Sequence, residues 1–214
     1  MASQQRSVET REALLSSGSR VFAGTPYDKA RIADVFEPLA LTQGAFYFHF
    51  DNKHELAAEI VRREHEAMIV VTEAVLAASK DGLLGLRQLA VELGKLIREN
   101  ITVQAGLRLT AHTPEEFEAY LPESFAIWER TILRFLERAS GQGALIDGLD
   151  LKETASYIVA TFMGAQQLSF IVSNWVDIED RVRTAATFTV RSIATEEAFR
   201  VLDAKSPDEA LTRT

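Results

Sequence analysis

The sequence predicts an all-α protein, with a small amino-terminal three-helix domain followed by a larger carboxy-terminal helical bundle. Apolar residues recur at the helical spacings i, i+3, i+4 and i+7 in one segment after another. No window shows the sustained alternation of a half-buried strand, and no repeat of about 20 to 50 residues is present. The chain is 47% apolar and 25% charged, with only 11 glycines and 5 prolines, so it has ample material for a core.

The amino-terminal region is predicted to contain three helices. The first covers about residues 8–22, and the second covers about residues 29–37. The second must end by Pro38, because a proline disfavours the helical conformation at the residue before it. The third covers residues 42–50, with Thr42 as its N-cap.

The rest of the chain is predicted to form long helices separated by turn and capping residues. They cover residues 52–79, 83–99, 103–112, 114–140, 151–175 and 178–202. Residues 154–176 carry no charge and are long enough to cross a bilayer. Gln166 and Gln167 near the centre would be costly in hydrocarbon, so we expect a helix buried in protein and no membrane partner.

Composition and spacing argue against an enzyme. The absence of cysteine excludes disulfides, thiol nucleophiles and cysteine-ligated metals. The pairs His54-Glu55 and His65-Glu66 each lack the second histidine of a zincin motif. We therefore predict no catalytic residues, no metal and no cofactor.

Charge is distributed unevenly along the chain. The net charge is −8, yet residues 1–54 hold six basic and six acidic residues, so residues 55–214 carry the whole excess. This asymmetry weakly favours an anionic partner for the first quarter of the chain. The first twelve residues are polar and lack the apolar core of a secretion signal, so we expect a cytoplasmic protein.

Residues 29–50 have the proportions of a helix-turn-helix motif. Gly44 and Ala45, near the start of the second helix, would allow it to approach base edges in a major groove. Tyr47 and His49 offer polar groups to the DNA backbone, and Lys53 adds a positive charge close by. Three phenylalanines in the same segment are expected in the core of the small domain: Phe46, Phe48 and Phe50.

Residues 10–59, and above all LTQGAFYFHFDNKHELA at 41–57, resemble the DNA-binding domain of TetR-family transcriptional repressors. Residues 98–110, 125–145 and 160–182 are similar to the γ-butyrolactone autoregulator receptors, a TetR branch that controls antibiotic production. The resemblance implies a homodimer that represses transcription from a palindromic operator in double-stranded DNA. It also implies a DNA-binding domain at 1–54 and a ligand-binding and dimerisation domain at 55–214, which a small signalling molecule enters to release the operator.

The resemblance places the operator contacts on nine residues. They are Lys29, Arg31, Thr42, Gln43, Gly44, Ala45, Tyr47, His49 and Lys53. The sequence departs from the usual pattern at Gln43, where lysine is common, and at Ala40, which replaces a turn glycine. Pro38 and the Thr25-Pro26 turn are also unusual. If Ala40 adopts a positive φ, the conformation costs about 1 kcal/mol.

The resemblance also indicates an effector pocket beside Trp128, although a core tryptophan is an alternative interpretation of that residue. Candidate apolar wall residues are Leu86, Leu89, Leu109, Ile132, Phe162 and Met163. Candidate polar groups are Thr161, Gln166 and Gln167, and Arg108 could bind a carboxylate. The effector class stays open between γ-butyrolactones, butenolides and furan carboxylic acids.

The helices at 151–175 and 178–202 are expected to pair with their two-fold mates in a dimer. Two alternatives remain open at this level. One is a pseudo-receptor that binds operators but answers to other small molecules, and the other is a helical scaffold that binds protein.

Overall fold

The computed structural model describes residues 2–117 and 121–204, and these residues form ten α-helices. They are α1 (Ala2–Gly24), α2 (Ile32–Phe36), α3 (Gln43–His49), α4 (Lys53–Ala78), α5 (Gly82–Glu99), α6 (Ile101–His112), α7 (Leu121–Gly141), α8 (Leu151–Ser173), α9 (Ile178–Ile193) and α10 (Glu196–Ala204). Short 3-10 turns follow α2 at Glu37–Leu39 and α6 at Pro114–Glu116. The described residues contain no strand, only one isolated bridge, so the all-α prediction is confirmed.

The chain divides into two compact units. The first contains the chain through Met68 together with Glu99–Pro122, and the second contains Ile69–Arg98 together with the chain from Glu123. Helix α4 contributes to both units, so this division falls within a helix and not after residue 54. The assignment of functions to residues 1–54 and 55–214 remains a prediction.

The core of the first unit is built around α1, whose serine-rich centre is unfavourable for a helix by propensity alone. Ser17 donates a hydrogen bond to the carbonyl of Val35 at 2.7 Å, and the Ser19 hydroxyl lies 3.0 Å from that of Thr102. Gly18 lies against α4, where an added Cβ would come within 2.8 Å of the Leu56 side chain. Tertiary contacts of small residues therefore stabilise a helix of 23 residues.

Two predicted helix boundaries in the carboxy-terminal part are wrong. The helix predicted from residue 114 is a 3-10 turn at its start, and α7 begins at Leu121. The helix predicted through residue 202 is interrupted at Ala194, which is extended and pairs with Leu145. Thr195 then caps α10, because its hydroxyl accepts a hydrogen bond from the Ala198 amide at 3.3 Å.

Helix α8 is largely exposed within one chain, so the chain itself does not supply the burial in protein that is expected for this helix. Only 11% of its most apolar window is buried, although its length and composition would suit a membrane span, which is weak evidence by itself. Exposed apolar side chains continue along it, with Tyr157, Leu168, Ile171 and Val172 between 48% and 67% exposed. Exposed apolar surface of this kind is typical of an interaction site.

The turn between α8 and α9 holds these two helices together. Asn174 and Trp175 both have positive φ, at 50° and 73°. The carboxylate of Asp177 accepts hydrogen bonds from Ser169 and Ser173 at 2.6 Å and from Arg181 at 2.7 Å. Arg181, followed by the two hydroxyls, holds the pKa of Asp177 well below its usual range. The pair α8–α9 is therefore linked by a polar network that keeps Asp177 ionised.

Candidate nucleic-acid interface and effector site

The turn between α2 and α3 has the geometry expected of a helix-turn-helix. Ala40 is left-handed, with φ 53° and ψ 30°, and its amide donates to the carbonyl of Glu37 at 3.0 Å. The amide of Leu41 donates to the carbonyl of Phe36 at 3.2 Å. Pro38 lies inside the preceding 3-10 turn, where its missing N–H leaves no bond unmade. The positive φ anticipated for Ala40 is therefore present.

Helix α3 is capped and anchored from one side. The hydroxyl of Thr42 accepts a hydrogen bond from the amide of Ala45 at 3.2 Å, as predicted for an N-cap. Phe46 and Phe50 are completely buried, with ring centroids 5.8 Å apart. The guanidinium of Arg11 covers the Phe50 ring at 5.0 Å.

The opposite face of α3 is open to solvent. Thr42, Gln43, Gly44 and Tyr47 are exposed, and Ala45 and His49 are half-buried beside them. Burial lowers the pKa of His49, and Arg11 lowers it further, so the imidazole is neutral at pH 7 and keeps one donor and one acceptor. The structure thus places six of the predicted operator residues on or next to one surface.

Phe48 does not belong to the core, and its prediction as a core residue was wrong. It is 75% exposed, whereas Phe46 and Phe50 on either side of it are buried. Residues four apart share a helix face, so the two buried rings contact each other at an interplanar angle of 40°, and Phe48 points to the other side. The sequence carried this signal, because a helix that buries positions 46 and 50 must expose position 48.

Two of the three basic residues predicted to contact the operator, Arg31 and Lys53, have partners within the chain, and the third, Lys29, is exposed. Lys53 donates to the carbonyls of Tyr27 at 2.7 Å and Ala30 at 3.1 Å, and its ammonium lies over the Tyr27 ring. Arg31 is exposed and pairs with Asp34 at 2.6 Å, which raises the pKa of Arg31 and lowers that of Asp34. Lys53 therefore ties the loop after α1 to the start of α4, a role that the sequence did not indicate.

The predicted effector residues divide between the two compact units. In the second unit, three of the predicted apolar residues are buried: Leu86, Leu89 and Ile132. Met163 is exposed, and the other five are half-buried: Trp128, Thr161, Phe162, Gln166 and Gln167. In the first unit Leu109 is buried, and Arg108 donates to the carbonyl of Ala23 at 2.6 Å. Arg108 thus caps the carboxyl end of α1, so a role with an effector carboxylate would come in addition to this contact.

Comparison with known proteins identifies the amino-terminal part. The model of the family described as "Bacterial regulatory proteins, tetR family" matches residues 14–60, which include all of α3 and the preceding turn. Residues 14–60 belong to the TetR family of bacterial regulatory proteins.

The similarity to known proteins extends beyond the residues that match the TetR family. It is 28% identical over 194 residues to the A-factor receptor protein of Streptomyces griseus, covering 91% of this chain and 67% of that protein. It is 24% identical over 212 residues to the probable acrEF/envCD operon repressor of Escherichia coli, covering 96% and 91%. A structure solved for the control of antibiotic production by a bacterial hormone superimposes with a TM-score of 0.75 at 26% identity, covering 88% of this chain and 99% of that one.

Glu64 is a buried charged residue that no sequence motif marks. It lies on α4 with 3% of its surface exposed, and its Oε2 atom is 2.8 Å from His65 Nδ1. Among the described residues this oxygen has no well-oriented hydrogen-bond donor. Burial raises the pKa of Glu64, and the neighbouring carboxylate raises the pKa of His65. A lone Glu-His pair within a long helix gives no sequence signal, because its burial depends on α6, where Gly106 lies against Glu64.

Proposed function

We propose that this protein is a transcriptional repressor that binds a palindromic operator as a homodimer and releases it when a small signalling molecule binds. The observation that carries the proposal is helix α3. Phe46 and Phe50 are buried and anchor one side of this helix in the core. The other side is uncharged, carries small and aromatic residues and faces solvent, and the helix is capped by Thr42. A surface with that composition on the second helix of a helix-turn-helix suits the major groove of DNA.

Gly44 lets the backbone of α3 come close to base edges. An added Cβ at this position would find only the Thr42 hydroxyl, at 3.8 Å, within contact distance, so the space in front of Gly44 is open. Thr42, Gln43 and Tyr47 surround this space with hydrogen-bonding groups. Because residues 1–54 are neutral, few phosphate charges would be neutralised, and we expect a shallow dependence of operator affinity on salt.

Exposed apolar residues on α8 and α9 support the homodimer. Besides the residues of α8 described above, Val176 is 76% exposed and Phe188 on α9 is 70% exposed. Monomeric proteins rarely leave contiguous apolar surface of this kind in water. A two-fold arrangement would cover α8 and α9 of each protomer with the same helices of its partner, as a four-helix bundle. Light scattering at micromolar concentration tests this, and a monomer would contradict it.

We propose an effector of the γ-butyrolactone, butenolide or furan carboxylic acid class, acting on antibiotic genes. The A-factor receptor is similar along 91% of this chain, and the structure that concerns a bacterial hormone covers 88% of it. Trp128 and Ile132, one turn apart on α7, would supply a flat apolar wall. To lower operator affinity a hundredfold, the effector must prefer the released state by about 2.7 kcal/mol.

A gel-shift assay tests the proposal directly. The probe is the DNA upstream of the protein's own gene, with and without an extract of antibiotic-producing cells. We expect a shifted band that the extract abolishes. Tyr47→Ala should weaken the shift and leave effector affinity unchanged, whereas Trp128→Ala should bind DNA normally and resist the extract. If both folded variants lose both activities, the assignment of separate sites is wrong.

A pseudo-receptor with a different effector is a second candidate. The similarity to a probable operon repressor of Escherichia coli spans 96% of the chain, so similarity along the whole length is not confined to a hormone receptor. The same gel shift, with purified butyrolactones in place of the extract, separates the two candidates. A pseudo-receptor would bind the operator and keep it bound when butyrolactones are added.

A further inference from the structure

Phe48 is a large apolar side chain on the surface that faces DNA in the proposed function. With 75% of its area exposed, it has the greatest exposure of any phenylalanine that the structure describes. Its ring meets the His49 ring edge to face at a centroid distance of 5.0 Å and an interplanar angle of 88°. This contact holds the Phe48 ring against the helix surface, although no core residue covers it.

The position of Phe48 along α3 determines which surface its ring covers. Side chains in a helix lean toward the amino terminus and lie over the preceding turn. Four residues before Phe48 stands Gly44, which has no side chain and an open space in front of it. Phe48 and Gly44 therefore lie on the same solvent-exposed side of α3, beside the exposed Gln43 and Tyr47, and only the Thr42 hydroxyl lies within 4 Å of a Cβ added at Gly44.

We propose that Phe48 reads the 5-methyl groups of thymines in each operator half-site. The inference rests on the proposed DNA-binding function. In the major groove, the thymine methyl is the one apolar group that a base edge presents, and an aromatic ring is a suitable partner for it. A phosphate contact is excluded for this side chain, because it has neither charge nor donor. Phe48 thus acts as a specificity-determining residue, and the polar residues around it fix the register.

The test removes the methyl group and the ring separately. The operator is first located by footprinting with the full-length protein. Each thymine of both half-sites is then replaced by deoxyuridine, which pairs identically and lacks only the methyl. Binding of wild type and of Phe48→Ala is measured by fluorescence anisotropy at one salt concentration. Because a buried methyl contributes about 0.8 kcal/mol, wild type should lose affinity about fourfold per contacted thymine.

Phe48→Ala should bind the thymine and uracil operators equally. Val70→Ala is the matched control: Val70 is 68% exposed on α4, and this variant should keep the wild-type penalty for uracil. Phe48 makes no core contact, so the far-ultraviolet circular dichroism and thermal unfolding of Phe48→Ala should match wild type. A folded Phe48→Ala variant that retains the uracil penalty would overturn the inference, as would a wild type that tolerates uracil everywhere.

The outcomes also separate this inference from the function on which it rests. If wild type shows no salt-dependent binding to any upstream duplex, the DNA-binding proposal itself fails. A different result is that wild type binds its operator and Phe48→Ala binds both the thymine and the uracil operator more weakly than wild type by the same factor, so that the penalty for uracil persists. The DNA-binding proposal then stands, and the ring contacts sugar or another subunit. That result would refute thymine recognition by Phe48.

Discussion

Replacing Ala40 by glycine should stabilise the protein, because this alanine is held in a left-handed conformation. An L-residue there costs about 1 to 2 kcal/mol relative to glycine, and the φ of 53° and ψ of 30° lie in that region. Glycine also increases the entropy of the unfolded chain, at a cost of about 0.4 to 1 kcal/mol. The exposed Ala40 methyl contributes little packing. The net gain in free energy of unfolding is therefore about 0.5 to 1 kcal/mol.

Urea unfolding followed by circular dichroism measures this gain, at one protein concentration for all variants, since a dimer's stability depends on concentration. For a chain of 214 residues the same gain raises Tm by about 1 to 4 °C. Ala74→Gly is the matched control. Ala74 is exposed on α4, four residues before the helix ends at Ala78, and glycine there should instead cost about 1 kcal/mol. Equal losses in both variants would refute the argument that the turn is strained at Ala40.

Three further predictions concern other residues. Glu64→Gln should stabilise the protein by about 1 to 2 kcal/mol at pH 8 and by less at pH 5, since it removes a buried charge. The raised pKa of Glu64 means that the contribution of this residue to wild-type stability is most favourable below the ordinary carboxyl pKa and becomes less favourable as pH rises, so a gain that is independent of pH in urea melts would contradict this. Phe188→Asp should yield monomers in light scattering, and persistent dimers would place the interface elsewhere. Lys53→Met should lower the free energy of unfolding by about 1 to 3 kcal/mol through two lost carbonyl contacts. If the free energy of unfolding is unchanged and the operator affinity of the variant depends less on salt concentration, Lys53 binds a DNA phosphate instead.

Features of the fold that depend only on neighbouring residues could be predicted from the sequence. The Thr42 cap and the all-α fold follow from residue type and spacing, and the structure shows both. The left-handed Ala40 is also present, but it was considered only because Ala40 replaces a turn glycine of the resembled family. The break at Ala194 could not be foreseen in the same way, because it depends on pairing with Leu145, 49 positions away in sequence. Helical periodicity alone continues through it.

Partners distant in sequence also determine the contacts of two candidate site residues. Lys53 and Arg108 have the residue type for phosphate or carboxylate binding, and both donate to backbone carbonyls of the first unit. Propensity and charge cannot show this, because the acceptors are carbonyls in the loop after α1 and at its end. Phe48 is the opposite case, since the helical period alone places it on the side of α3 away from Phe46 and Phe50 and so predicts its exposure.

Contacts within the first unit connect the end of α6 to the start of α4, next to α3. The ring of Phe117, just beyond the 3-10 turn that follows α6, stacks on His54 at 5.5 Å and meets Tyr27 edge to face at 5.9 Å. His54 Nε2 lies 2.8 Å from the carbonyl of Glu116, and Lys53 holds the carbonyl of Tyr27. Phe117 is fully buried, so the end of α6 cannot move relative to the loop after α1 without breaking these contacts or carrying that loop with it. An effector that displaces α6 would thereby act on the base of α3, whereas the exposed Tyr47 takes no part in this cluster, which is why its removal should leave effector affinity intact.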